Sequence, residues 1–286
     1  MEHITDFYIT NWPFIIAALV VVGTTLLVIR ILKTRQKPRL CGVDYPADTV
    51  ILHQFERGRT APSIGHFVMK LETFLRINKI PYQSNYNFRN GPKGKVPWIE
   101  YNGITMGDSQ MIIELLNKEF KVDMDSHLSV YDKAVAWAIQ KWIEEYVYWL
   151  NVHTRWVIFT DDMFTEGIAV FSRALKPLIR KKAFDMTFKV GIGRHSNKEV
   201  HEMMVHDLRQ FAELLGNKKF LMGEKMAVVD CAAFGILSQV RWCTPSSCPG
   251  TRLLQSGELQ NVTRYLDNIK DAFWPDWESL KSKQNR

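Results

Sequence analysis

A mixed α/β domain over residues 45–122 and an all-α domain over 123–280, preceded by one transmembrane helix within 1–40, is the fold class this sequence predicts. Three observations predict it. Lys95 to Ser109 reads as a strand entered through a proline, a tight turn, a second strand and a helix start. Strand signals vanish after about Ser126, and helical spacing takes over. Phe7 to Ile29 holds no charged residue over 23 positions, more than the roughly 20 a helix needs to cross a bilayer.

The apolar segment sets the first expectation. Its N-terminal flank is acidic (Glu2, Asp6) and no small-residue cleavage site follows it, so an uncleaved anchor is expected rather than a signal peptide. Arg30, Lys33 and Arg35 open a basic cluster running to Arg39. By the positive-inside rule that cluster predicts a lumenal N-terminus and a cytosolic body. Five basic residues against two acids leave the first 40 residues at +3 of the total +7. The remaining charge is too mild and scattered to indicate nucleic acid. The four cysteines, Cys41, Cys231, Cys243 and Cys248, form no disulfide framework and no CxxC pair. Cys41, just past the apolar segment, is a candidate for S-acylation. His195, His201 and His206 lack the spacing of a helical metal site, so no metal is expected.

The α/β half can be justified element by element. Thr49 to Phe55 is β-branched and apolar between turn formers, a buried strand. Ile64, Phe67, Val68, Leu71 and Leu75 recur at helical spacing after Pro62. Ser63 is placed to cap that helix, or to offer a hydroxyl to a bound thiolate. His66 and Glu72 read as solvent-facing positions on it. Pro81 to Tyr86 is a short second strand, followed by a polar, glycine-rich linker to Gly94. Pro97 begins the third strand, where a missing N–H is tolerated. Asn102-Gly103 is a hairpin signal. Asp108-Ser109 then supplies acceptors for a helix N-terminus. In the helical half, Val130 to Val152 is one aromatic-rich helix, whose stripe is read as core packing.

Together with Phe220 to Phe234 and the ending Trp274-Pro275-Asp276-Trp277, these motifs resemble the failed-axon-connections family. That family includes the nematode cadmium-responsive proteins and is related to the metaxins within the glutathione-transferase superfamily. The resemblance covers roughly residues 45–278. It implies a thioredoxin-like N-terminal domain and an all-α glutathione-transferase C-terminal domain. It also implies a glutathione-type groove in which Val96, Pro97, Asp108 and Ser109 hold the peptide, and a cap in which Asp230 closes a buried helix. The cap's hydroxyl position is Ala227 here, a departure that weakens such a cap by about 1 kcal/mol. A second departure bears on activity. Family members often show Ser-Pro-Phe-Cys in the first helix turn, and this chain has Gly65-His66-Phe67-Val68.

The resemblance therefore implies a membrane-anchored binding or adaptor module in heavy-metal or stress response, or in axon development. An active glutathione-dependent transferase or peroxidase, with Ser63 as its hydroxyl, is the first alternative. A metaxin-like import or tethering component is the second. Glutathione is the implied ligand and a homodimer the implied assembly. The implied location is the lysosomal membrane, with the mitochondrial outer membrane as alternative.

Overall fold

The structure, a computed structural model, describes residues 16–17, 19–25, 45–86, 90–166 and 172–282. The chain divides into two compact units, Met1–Asp44 and Tyr45–Arg286. In the first unit the expected single-pass anchor is corrected. Among the described residues no helix is long and apolar enough to cross a membrane. The topology with a lumenal N-terminus falls with the anchor, as do the lysosomal and mitochondrial placements built on it. Arg30, Lys33, Arg35 and Cys41 lie outside the described residues.

The second unit opens with a four-stranded sheet. Strands β1 (Val50–His53), β2 (Tyr82–Asn85), β3 (Trp98–Tyr101) and β4 (Ile104–Gly107) lie in the order β2-β1-β3-β4. β1 runs parallel to β2, with α1 (His66–Ile77) as the crossover, and antiparallel to β3. The predicted turn at Asn102-Gly103 joins β3 to β4 antiparallel, pairing Tyr101 with Ile104. Helix α2 (Ser109–Phe120) follows at once. Val50, Leu52, Ile99 and Tyr101 alternate onto one face and form a core with Leu71, Phe74 and Leu75 of α1 and Ile112, Ile113 and Leu116 of α2.

The helical half begins with a run that changes pitch twice. α3 (Val130–Trp142) passes through a π turn (Ile143–Val147) into α4 (Tyr148–His153), and a second π turn (Thr154–Ile158) leads towards α5 (Thr160–Thr165). Next come α6 (Lys176–Lys189), α7 (Asn197–Leu215) and α8 (Val228–Trp242). They are followed by α9 (Pro249–Gln255), α10 (Gln260–Phe273) and α11 (Trp277–Leu280). α8 is the buried axis, with every residue from Val228 to Val240 inside. Such a helix must be apolar or fully paired all round. It packs on α1 through Gly235, whose ideal Cβ would stand 2.7 Å from the His66 carbonyl and 2.8 Å from the Lys70 nitrogen. His66 and Glu72, expected in solvent, are both buried: His66 Nε2 meets Asn151 Oδ1 at 2.7 Å, and Glu72 Oε1 accepts from Arg57 at 2.8 Å and from Tyr82 at 2.9 Å.

Candidate functional site

The residues that the resemblance assigns to a peptide groove lie where β3, β4 and α2 meet. The Val96–Pro97 bond is cis. Pro97 is buried and Val96 half-buried, just before the ladder that begins at Trp98. The preceding loop folds back through Gly91, against Trp98, where a Cβ would come within 2.4 Å of the indole. Asp108 adopts a positive φ of 85° and caps α2, its Oδ1 accepting from the N–H groups of Gln110 (2.9 Å) and Met111 (3.2 Å). Ser109 is the first helical residue and is buried. Its position puts a hydroxyl and a helix-start N–H together, the arrangement that receives an anionic group.

Behind Ser109 runs a buried polar chain that sequence reading did not find. Gln110 Oε1 accepts from Lys70 Nζ at 2.9 Å and from Gln140 Nε2 at 2.8 Å. Lys70 Nζ also donates to Glu144 Oε1 at 2.6 Å. This chain ties α1, α2, α3 and the first π turn to the start of the groove. Lys70 and Glu144 are 74 residues apart, so neither periodicity nor local spacing could pair them. π turns often mark such places, because one extra residue re-aims a side chain.

The first turn of α1 is differently furnished. The N-cap is Gly65, without a side-chain cap. Ser63, the catalytic candidate, is fully buried, and its Oγ accepts from the Gly65 N–H at 3.2 Å. His66 Nε2 meets Asn151 Oδ1 at 2.7 Å. Burial, helped by the charge of Arg155, pulls the His66 pKa down to about 3, so the ring is neutral at physiological pH. Arg155 itself is fully buried, with Nη1 on the carbonyls of Ile64 (3.4 Å) and the Gln239 side chain (3.2 Å). Its signal in the sequence was a cation inside an otherwise aromatic helix face. Of the two hydroxyls between β1 and α1, only Thr60 is half-buried, and it donates to Cys243 Sγ at 3.6 Å. Cys231, Cys243 and Cys248 are all buried, and burial raises each thiol pKa above its ordinary value. All three are thiols, not thiolates, at neutral pH.

Asp230 sits at the start of α8. Its Oδ2 accepts from Ala227 N at 2.8 Å, and its Oδ1 from Leu221 N at 2.9 Å and Tyr265 Oη at 2.9 Å. Burial raises its pKa to about 6 against these three donors. Ala227 has no acceptor to return, so only half of a capping box exists. Asp125, from the loop after α2, accepts from the Val228 N–H at 2.8 Å instead. Among the described residues, no group of three or more His, Cys, Asp or Glu could hold a metal ion.

Comparison with known proteins bears on the fold. The model of the glutathione S-transferase N-terminal domain matches residues 66–163. The model of the glutathione S-transferase C-terminal domain matches residues 204–269. Between them they cover more than half of the chain. A Drosophila melanogaster protein named failed axon connections is 27% identical over 87% of this chain. The chain spans 63% of that protein's length. The isoprene-epoxide glutathione S-transferase of a Rhodococcus strain is 27% identical over 74% of this chain and 94% of its own. Among solved structures, a glutathione S-transferase from Rhodospirillum rubrum matches with a TM-score of 0.53 at 15% identity, over 82% of this chain and 94% of its own. The β-etherase LigF from Sphingobium matches with a TM-score of 0.52 at 16% identity, over 77% of this chain and 94% of its own. At such identities the two structures speak for the fold alone. With both domain models in the order the fold requires, the chain belongs to the glutathione-transferase superfamily, as a relative of failed axon connections.

Proposed function

We propose that this protein is a glutathione-binding module that holds the peptide without activating its thiol. Val96, beside Pro97, pairs its backbone with the extended peptide. Ser109 receives an α-carboxylate at the start of α2, whose first turn Asp108 holds in place. One observation carries the non-catalytic part. Ser63 is fully buried, so its hydroxyl is closed off from a bound thiol. Activation of a thiol needs a positioned donor or cation, and His66 is neutral and engaged with Asn151.

The test is calorimetric titration of the full chain with glutathione, beside a conjugation assay with 1-chloro-2,4-dinitrobenzene. We expect measurable binding, weakened about tenfold or more by Ser109→Ala, since a hydrogen bond to a charged group is worth about 1.5–3 kcal/mol. No conjugation above the uncatalysed rate is expected. Absence of binding would retire the groove; turnover would retire the non-catalytic reading.

A second reading, an active transferase, is favoured by the match to the Rhodococcus enzyme over 94% of that protein's length. Thr60 is then the hydroxyl to examine, because it is the one between β1 and α1 that is not fully buried. A part in heavy-metal or stress response extends the first reading, since glutathione carries the soft sulfur donor that such metals prefer. A part in axon development rests on the identity to the Drosophila relative.

A further inference from the structure

The second π turn, Thr154–Ile158, carries Arg155 into the interior of the second unit, where its side chain is fully buried. One terminal nitrogen is provided for. Nη1 donates to the Ile64 carbonyl at 3.4 Å and to the Gln239 side-chain oxygen at 3.2 Å. The guanidinium carbon stands 5.2 Å over the Trp156 ring, which covers one face of the group. Nε and Nη2 meet no hydrogen-bond partner among the described residues.

These two nitrogens form one edge. A guanidinium is planar and rigid. Its Nε–H and the near N–H of Nη2 point the same way in that plane, so together they grip a single acceptor, as in the bidentate pairs arginine makes with oxyanions. Two scattered orphan donors would be two separate defects. Two on one edge make one seat for one ligand.

Charge points the same way. Among the described residues, the ionisable groups that feel Arg155 are Cys243, Tyr148 and His66. Burial raises the pKa of both the Cys243 thiol and the Tyr148 phenol and lowers that of His66, so all three are neutral at pH 7. Gln239 and the Ile64 carbonyl supply dipoles, but no negative charge. A guanidinium does not shed its proton inside a protein, and a buried charge without a counter-ion is among the most costly arrangements a fold can carry. A water molecule on the open edge would satisfy the hydrogen bonds and leave the charge; an anion satisfies both. Ile64, His66, Gln239 and Cys243 are all buried around the arginine, so the occupant is enclosed and compact.

We propose that Arg155 holds a small inorganic anion of the halide class on its Nε–Nη2 edge, where the second π turn, α8 and the segment before α1 meet. The ion completes the joint at which the helical half, through Arg155 and Gln239, grips the Ile64 carbonyl. The site is independent of the glutathione reading, since neither Val96 nor Ser109 takes part in it.

The test is thermal melting of the full chain with chloride exchanged stepwise for gluconate, an anion too large for the site, at constant ionic strength. The melting temperature is expected to rise by several degrees between about 1 and about 100 mM chloride, because an ion bound only by the folded chain stabilises it with the logarithm of its concentration. Arg155→Met is expected to abolish that rise. Since this substitution also removes the hydrogen bonds to Ile64 and Gln239, a second measurement uses the parent alone: crystals grown with bromide in place of chloride, read by anomalous diffraction. A peak is expected within hydrogen-bond distance of both Nε and Nη2. A parent melting temperature indifferent to chloride would overturn the proposal, as would an equal rise in a folded Arg155→Met. So would a bromide map with peaks at the surface alone, an adventitious ion only, or with a water on that edge.

Discussion

His66 shows how far a residue's place can depart from its local pattern. It stands in the first turn of α1, where a polar residue usually meets water, and instead lies 6% exposed beneath α4 and α8. Its partner Asn151 is 85 residues away, beyond any local signal. Burial has a consequence for pH. The folded pKa of about 3 lies below the ordinary 6.5. The neutral ring therefore stabilises the fold fully above pH 6.5, and that stability is lost as pH falls from 6.5 towards 3. At pH 5 the loss is about 2 kcal/mol, from about 1.4 kcal/mol per pH unit. Asp207 and Asp230, raised to about 6 by burial, act in the opposite direction between pH 3.8 and 6, so the parent's total change is a sum. The difference between parent and His66→Gln isolates the histidine. We expect the melting temperature to fall less between pH 7 and pH 5 in the variant, by several degrees. Equal falls in the two proteins would refute the assignment.

At the scale of elements, the pair α1 and α8 joins the two halves. Gly235 lets them approach until backbone meets backbone, and a methyl there would stand 2.7 Å from the His66 carbonyl. Neither atom can rotate aside, so Gly235→Ala forces the helices apart. Overpacking of this kind costs about 3 kcal/mol, and at roughly 2–4 °C per kcal/mol the melting temperature drops by about 6–12 °C. A thermal melt within 2 °C or so of the parent would show that the helices can yield. The sequence carried the outlines of these elements better than their seams. The order β3, turn, β4, α2 was readable because proline, Asn102-Gly103 and Asp108 each dictate a local backbone state. The π turns were not, since inserting one residue barely disturbs an apolar stripe already dense in tryptophan and tyrosine. The cap of α8 was half readable. Asp230 fits its motif, but Asp125, which takes up the Val228 N–H, belongs to a loop with no motif at all. The polar face of α1 misled for the same reason: Lys70 and Glu72 look solvated until their partners, Glu144 and Arg57, are in place.

The whole second unit is closed by its own C-terminal stretch. Trp274 is fully buried against α1, with Nε1 donating to Thr73 Oγ1 at 3.1 Å and the Arg76 guanidinium 4.0 Å over its ring. Arg76 then grips Asp276 through both terminal nitrogens, at 2.7 and 3.0 Å. Ser282 N reaches the Gly58 carbonyl at 2.8 Å, in the loop that leads to Ser63. The last helices of the chain therefore hold α1 and the loop before it. This coupling predicts a single cooperative transition for residues 45–282, and Trp274→Ala tests it. Truncating a buried indole costs about 3–5 kcal/mol. If the halves were independent modules joined by a linker, the substitution would shift only the helical half, and calorimetry would resolve two endotherms. We expect one endotherm in both proteins, displaced to lower temperature as a whole in the variant. Two separated peaks in the variant would mean that the sheet and α1 stand on their own, and that the contact with α8 follows their folding rather than making it possible.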